Sequence, residues 1–377
     1  MKLRHLPLCC ILGCTSHSSS GETIFTLQAS EPTVDRWNYP HNSTLGFRPK
    51  GSLFTGLPED VDGGADRLGQ IIVGFDTGAL GVPLGEDPAS YDVRILRLTA
   101  RVANNPALGD PTMRYDPSAD PFDALLEEGS DPDPGPPVEL HGVGFRNGVT
   151  TDSFVEGAPP PGLGQPAISG SPYWGPEGAT AYPLGYDLSG GPRDVTNNPS
   201  AGFDSRPWAV GQTDLVNPGD IVPTDTLLTF DLDLSDPEIR RYVQEGLSQG
   251  KVFFCLTSLQ PATFNGGGSG SFAIFYLKES VEHQLIGDFA PSLELSYALS
   301  PVNNTSPEFT IGFANEQLTL RWSAQDAGEV FEILGSEDLK NWSVLAERSA
   351  PEAGPIQHVV QIAPEARRFF SVRRKSS

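Results

Sequence analysis

The chain is poor in the residues that usually carry chemistry. Its 377 residues include four cysteines, six histidines and two methionines. Three of the cysteines, Cys9, Cys10 and Cys14, lie in the first fourteen residues. Loss of a leader carrying Cys9 and Cys10, with Cys14 lipid-linked, leaves no internal disulfide pair. The remaining one, Cys255, sits in Val252-Phe253-Phe254-Cys255-Leu256. Apolar neighbours raise a thiol pKa, so this is expected to be a buried core thiol rather than a nucleophile. The dispersed histidines form no His-Glu-x-x-His motif and no Cys/His zinc spacing. There is no phosphate-binding Gly-x-x-x-x-Gly-Lys-Ser/Thr loop and no Gly-x-Ser-x-Gly nucleophile elbow.

Positive charge is also short. Lys and Arg number 25 against 48 Asp and Glu, a formal net charge of -23. Such a chain repels phosphate backbones, and the same repulsion argues against resting on anionic lipid through a basic patch, so nucleic-acid partners are not expected. The charge suits solubility first, and Ca²⁺ or cationic partners second. Beyond the first residues no run of 18 apolar residues occurs. The abundance of carboxylates makes them uninformative about catalysis. Glycoside hydrolysis needs two facing carboxyl groups, and no pair stands out; Asp204 is a candidate only through its proximity to Trp208. No catalytic residue is assigned.

What the chain does have is turn chemistry and aromatics: 41 Gly, 35 Pro, 20 Phe, 9 Tyr and 5 Trp. Runs rich in β-branched and aromatic residues recur at 23–27, 70–75, 93–102, 138–145, 226–234, 251–258, 271–277 and 291–297. Long Gly/Pro/Asp connections separate them, notably 108–137 and 157–194. One helix is expected, capped by Ser235 or Asp236, opened by Pro237 and closed by Gly250. Its Ile239, Tyr242, Val243 and Leu247 share one face at 3.6-residue spacing. The stretch 300–307 reads as a linker. Beyond it, short strands at 308–313, 317–323, 330–334, 342–346, 357–362 and 368–373 predict a small sandwich with Trp322 and Trp342 in its core. The expected fold is all-β: a large β-sandwich with long loops and one short helix over 23–299, then a small β-sandwich over 308–377.

The first residues are basic (Lys2, Arg4, His5), then apolar (Leu6 to Leu12), and end Ile11-Leu12-Gly13-Cys14. They resemble a bacterial lipoprotein signal peptide over 1–14, which implies lipidation at Cys14 and a tether over 15–22; an ordinary signal peptide cut near 18–21 is the alternative. The chain is then an exported cell-envelope protein that meets the membrane only through its lipid anchor.

Two further resemblances rest on specific segments. "QIIVGFDTG" (70–78), "VRILRLTARV" (93–102), "DPEIRRYVQEGLSQGKVFF" (236–254) and "APSLELSY" (290–297) resemble the DNRLRE-type modules of exported bacterial proteins, which implies a carbohydrate-binding-module-like jelly roll. "LTLRWSA" (318–324), "FEILGSEDLKNWSVL" (331–345) and "RRFFSVRR" (367–374) resemble the C-terminal immunoglobulin/fibronectin-like module of exported proteins of Planctomycetes–Verrucomicrobia type, which implies a spacer or attachment role.

Two candidate sites follow from the residues. "EDVDGGADR" (59–67) places Asp60, Asp62 and Asp66 around a Gly-Gly turn, a donor set suited to structural Ca²⁺; a solvated turn is the bland alternative. "DPSADPFD" (116–123) is a second acidic loop. Trp37, Tyr39, Tyr173, Trp174 and Trp208 lie among Pro, Asn, Gly and Asp. Aromatic faces in such loops pack on sugar rings, so these five are candidate ligand-binding residues for a polysaccharide or cell-surface glycan; each could instead plug its loop onto the sheet. Three functions remain in view: a non-catalytic glycan-binding or adhesive surface protein, a structural envelope protein, and a polysaccharide-degrading enzyme on a β-sandwich scaffold.

Overall fold

A computed structural model describes residues 17–19, 22–38, 47–55, 67–120, 135–156, 180–187, 189–262, 270–299, 310–314, 317–324, 327–336, 343–361 and 369–375. The fold is an all-β sandwich arrangement in two compact units that divide between Leu299 and Ser300.

The first unit pairs two antiparallel sheets. One has five strands: β1 (His17–Ser19), β2 (Glu22–Ala29), β6 (Tyr91–Arg101), β11 (Leu227–Asp231) and β14 (Ser292–Leu299), in the order β1-β2-β14-β6-β11. The other is built from β3 (Val34–Asn38), β4 (Lys50–Thr55), β5 (Arg67–Asp76), β7 (Val138–Phe145), β8 (Ala181–Tyr186), β9 (Pro192–Asp194), β10 (Ala209–Val210), β12 (Lys251–Ser258) and β13 (Ala273–Tyr276). Its spine runs β13-β4-β5-β12-β7-β8-β9, with β3 added to β5 and β10 to β7.

The inner faces meet in one core. Leu96, Leu98, Phe230, Leu293 and Tyr297 oppose Ile71, Val73, Phe75, Leu140 and Phe254, all almost fully buried. Strand β6 shows how the sequence achieves this. Its pairing with β14 shifts register between Ser296 and Tyr297, opposite Ile95 and Val93. That bulge lets Tyr91 and Val93 point inward on one side of it and Leu96, Leu98 and Ala100 on the other. Strands β5 and β12 lack clean alternation because both their faces are covered. On the outer face Ile72, Val143, Phe253 and Cys255 form a second apolar cluster beneath Val149 and Phe154.

The expected helix is α2 (Pro237–Gln249), which follows α1 (Asn198–Ala201). Asp236 accepts hydrogen bonds from the backbone N–H groups of Glu238 and Ile239, and Gly250 closes the helix at φ 83°. Ile239, Val243 and Leu247 are buried, as their spacing demands. A further helix, α3 (Val281–Ile286), is capped by Ser280. The expectation of a single helix is therefore corrected: α1 and α3 are too short for a periodic signal to form. The long connection expected over 157–194 holds β8 and β9 at its end; their Pro and Gly content hid them.

The second unit has two three-stranded sheets. One is β15 (Thr310–Ala314), β16 (Gln317–Ala324) and β19 (Gly354–Gln361); the other is β17 (Val330–Ser336), β18 (Ser343–Ser349) and β20 (Phe369–Arg374). Leu320, Trp322, Phe331, Ile333 and Val372 fill the space between them, with Trp322 against Phe331 at 5.7 Å. Trp342 lies outside the described residues.

Candidate functional site

Two polar assemblies are buried in the first unit. The first lies on the outer face of the larger sheet. Arg67 reaches across β12 to Glu139 on β7, with Nε to Oε2 at 2.6 Å and Nη2 to Oε1 at 2.9 Å. Its Nη1 donates to the Val195 carbonyl at 2.7 Å and to Asn198 Oδ1. Thr257 donates to Glu139 Oε2 at 2.9 Å from the intervening strand. Burial acts to raise the Glu139 pKa, but the Arg67 charge and hydrogen bonds outweigh it and hold the carboxyl far below the usual range. His141 lies fully buried beside this pair, 3.6 Å from Glu139, and neither ring nitrogen has a hydrogen-bond partner. Burial pushes its pKa down, so the ring is neutral at pH 7. The assembly is closed to solvent, and it fastens β5, β7, β12 and α1 together.

The second assembly lies where β3 meets the start of α3. Asp35 on β3 is fully buried and Glu156 is 7% exposed. Lys278 and Glu279 follow β13 directly, ahead of the α3 cap. Lys278 Nζ binds Glu156 Oε2, donates to the Thr33 carbonyl at 2.9 Å, and stands 3.7 Å from Asp35 Oδ1. The Lys278 backbone N–H donates to Asp35 Oδ2. Carboxylate oxygens of Asp35, Glu156 and Glu279 all lie within 4.8 Å of one another. Burial, with repulsion from Glu279 and Glu156 and against the attraction of Lys278, pushes Asp35 up to about 9. Burial and the neighbouring Glu156 push Glu279 up to about 7. Arg36 also lies buried in β3 with its guanidinium 5.4 Å from the Phe154 ring centre; burial lowers its pKa to about 10.

Nothing in the motif reading pointed to this assembly. Its members are spread from residue 35 to residue 279, and each sits in an ordinary local context. The available signal was a lysine, in a lysine-poor chain, placed directly after the apolar run Phe275-Tyr276-Leu277.

Of the sequence-predicted site residues the structure describes two, Trp208 and Trp37. Trp208 is 3% exposed. Tyr186 stacks on it at 6.0 Å, Tyr242 meets it edge-on at 4.8 Å, and Gly142 leaves the space its ring fills. It is a core plug, which corrects its placement among ligand-binding residues: a tryptophan in polar sequence has closed its own loop onto the sheet. Trp37 is half-buried on β3, donates from Nε1 to the Ser52 carbonyl at 2.8 Å, and carries Arg48 5.8 Å above its ring. Tyr39, Tyr173, Trp174, Asp60, Asp62, Asp66 and Cys14 lie outside the described residues. Asp116, in the second acidic loop, is buried and accepts from the Ser118 N–H at 2.9 Å. Cys255 is free and fully buried, and burial pushes its thiol pKa up.

No family model, curated protein or solved structure matches the chain. Among the described residues no helix is long and apolar enough to cross a membrane.

Proposed function

We propose that this protein is an exported, lipid-anchored, non-catalytic surface module of the cell envelope that binds glycan. One observation carries the display part of this reading. His17 on β1, the start of β2 and the end of β14 lie side by side, with His17 opposite Ile24 and Ile24 opposite Ala298. The described chain therefore joins the five-stranded sheet and leaves it toward the second unit at neighbouring positions. The far end of β2 lies about 25 Å away along its eight residues. It carries α3, whose Val281, Leu285 and Ile286 are 62%, 80% and 74% exposed. The lipobox-like start and the carbohydrate-binding-module-like jelly-roll resemblance support export and glycan recognition.

Native affinity electrophoresis of the chain from residue 22 onward, through gels carrying neutral, acidic and sulfated polysaccharides, tests the proposal. Retardation by one glycan class is the expected result. Uniform mobility would favour the second reading, a structural envelope protein, which the burial of Trp208 and the pinning of Trp37 against Ser52 support.

A further inference from the structure

A buried lysine beside a buried acid is usually a salt bridge, with nitrogen and oxygen at about 2.8 Å. Lys278 and Asp35 do not meet that way. The ammonium spends its hydrogen bonds on Glu156 and on the Thr33 carbonyl. It faces Asp35 Oδ1 at 3.7 Å, and that oxygen has no hydrogen-bond partner. The second Asp35 oxygen is engaged by a backbone N–H, that of Lys278 itself. The amine nitrogen thus sits at contact distance from a carboxyl group with one oxygen held by a donor and the other free.

We propose that Lys278 and Asp35 condense into an intramolecular amide, joining Nζ to Cγ, with Glu156 and Glu279 carrying the protons. Glu156, already bound to Nζ, takes one ammonium proton and frees the lone pair. The amine attacks Asp35 Cγ, and the charge that develops on Oδ2 falls on the Lys278 N–H. A second Nζ proton passes to Glu279. The Asp35 hydroxyl accepts a proton back from Glu156, the Cγ–Oδ1 bond breaks, and water leaves. The third hydrogen stays on the amide nitrogen, and one proton remains on the two glutamates. No oxidant, metal or nucleotide is required.

Three features of the site favour this outcome over a resting ion pair. Only a neutral carboxylic acid is electrophilic enough to react, and burial keeps Asp35 protonated at neutral pH. Holding the amine 3.7 Å from Asp35 Oδ1 turns an encounter between two groups into a step within one molecule. Burial of Asp35 and Glu156 limits the water that would reverse the reaction. The reaction happens once per molecule, so it is a modification of the protein rather than a turnover activity, and it is independent of what the protein binds. The amide would join positions 243 residues apart in the chain and tie the edge strand β3 to the start of α3.

Mass spectrometry of the purified full chain decides the matter. The intact mass is expected to be lower by one water than that of the Lys278→Arg chain prepared in the same way, after the difference between the two side chains is taken out. Trypsin should leave Lys278 uncleaved, with the peptide ending at Arg36 joined to the peptide 252–321, and fragmentation should place the bond on Asp35. Recovery of a free 252–278 peptide at full mass would overturn the proposal, as would a bond to Glu156 instead. Asp35→Asn supplies a readout no structural role produces: it should lose ammonia rather than water. Lys278→Arg and Glu156→Gln, checked for folding by circular dichroism, should keep their full mass.

Discussion

Arg67 and Glu139 meet through two parallel contacts of 2.6 and 2.9 Å, over the top of a strand that separates their own. The pair is buried to within a few per cent on both sides. Removing one partner strands the other charge in a poorly solvated site, and such losses run to about 3–5 kcal/mol. Glu139→Gln is therefore expected to lower the unfolding free energy by that order in guanidinium titrations. The double change Arg67→Met with Glu139→Leu should recover most of it. A Glu139→Gln protein as stable as the parent would mean that the pair does not hold the sheet.

The same assembly sets an acid limit on stability. His141 has a lowered pKa in the folded state, so unfolding takes up a proton once the pH falls below about 6.5. Glu139 is depressed in the same way, and its contribution is lost as the pH falls below about 4.5 toward the folded value. Relative to His141→Phe, the parent should thus lose melting temperature as the pH falls below about 6.5, and relative to Glu139→Gln it should lose it below about 4.5; each comparison cancels Asp35 and Glu279, whose raised pKa values act in the opposite direction. A difference between the parent and His141→Phe that stays constant from pH 7 to pH 5 would contradict the neutral, buried ring.

Trp208 is expected to matter for folding and not for ligand. Trp208→Ala removes a ring enclosed by Tyr186, Tyr242 and Gly142, at a cost of about 3–5 kcal/mol. Gly142→Ala should destabilise as well, because a Cβ there would lie 2.1 Å from the Trp208 ring. By contrast, Trp37→Ala or Trp174→Ala should fold and lose retention on glycan gels. Loss of folding in either would assign that ring to the core.

The acidic turn at Asp60, Asp62 and Asp66 makes a separate prediction. A cation bound only by the folded state raises stability by mass action. EDTA should lower the melting temperature and added Ca²⁺ should restore it, and an unchanged value would remove the reading.

The sandwich was legible in the sequence because period-two patterning and turn chemistry are local. The strands Val138–Phe145 and Lys251–Ser258 and the helix ending at Gln249 stand where their residues place them. Strand β8 was not legible, because Pro183 and Gly185 interrupt it and only its pairing with β7 defines it. Nor was the register slip in β6, which answers to β14 some two hundred residues away. The buried polar assemblies were least visible of all. Asp35, Glu156 and Lys278 are each unremarkable among 48 acids and 25 bases, and their significance lies in tertiary proximity, which no local pattern encodes.

The adjacency of Ile24 and Ala298 fixes how the first unit answers to force. Tension between an anchored N-terminus and the onward chain first peels β1 from β2, then pulls the two neighbouring antiparallel strands β2 and β14 apart from one shared end. The hydrogen bonds between β2 and β14 are then loaded one pair at a time, as in a zipper, rather than all together in shear. Such a module yields early. What it releases is bounded: past β2 and β14 the load arrives at Asp35 and Lys278, and a covalent bond there would arrest unravelling with the 243-residue interval between them still unstretched.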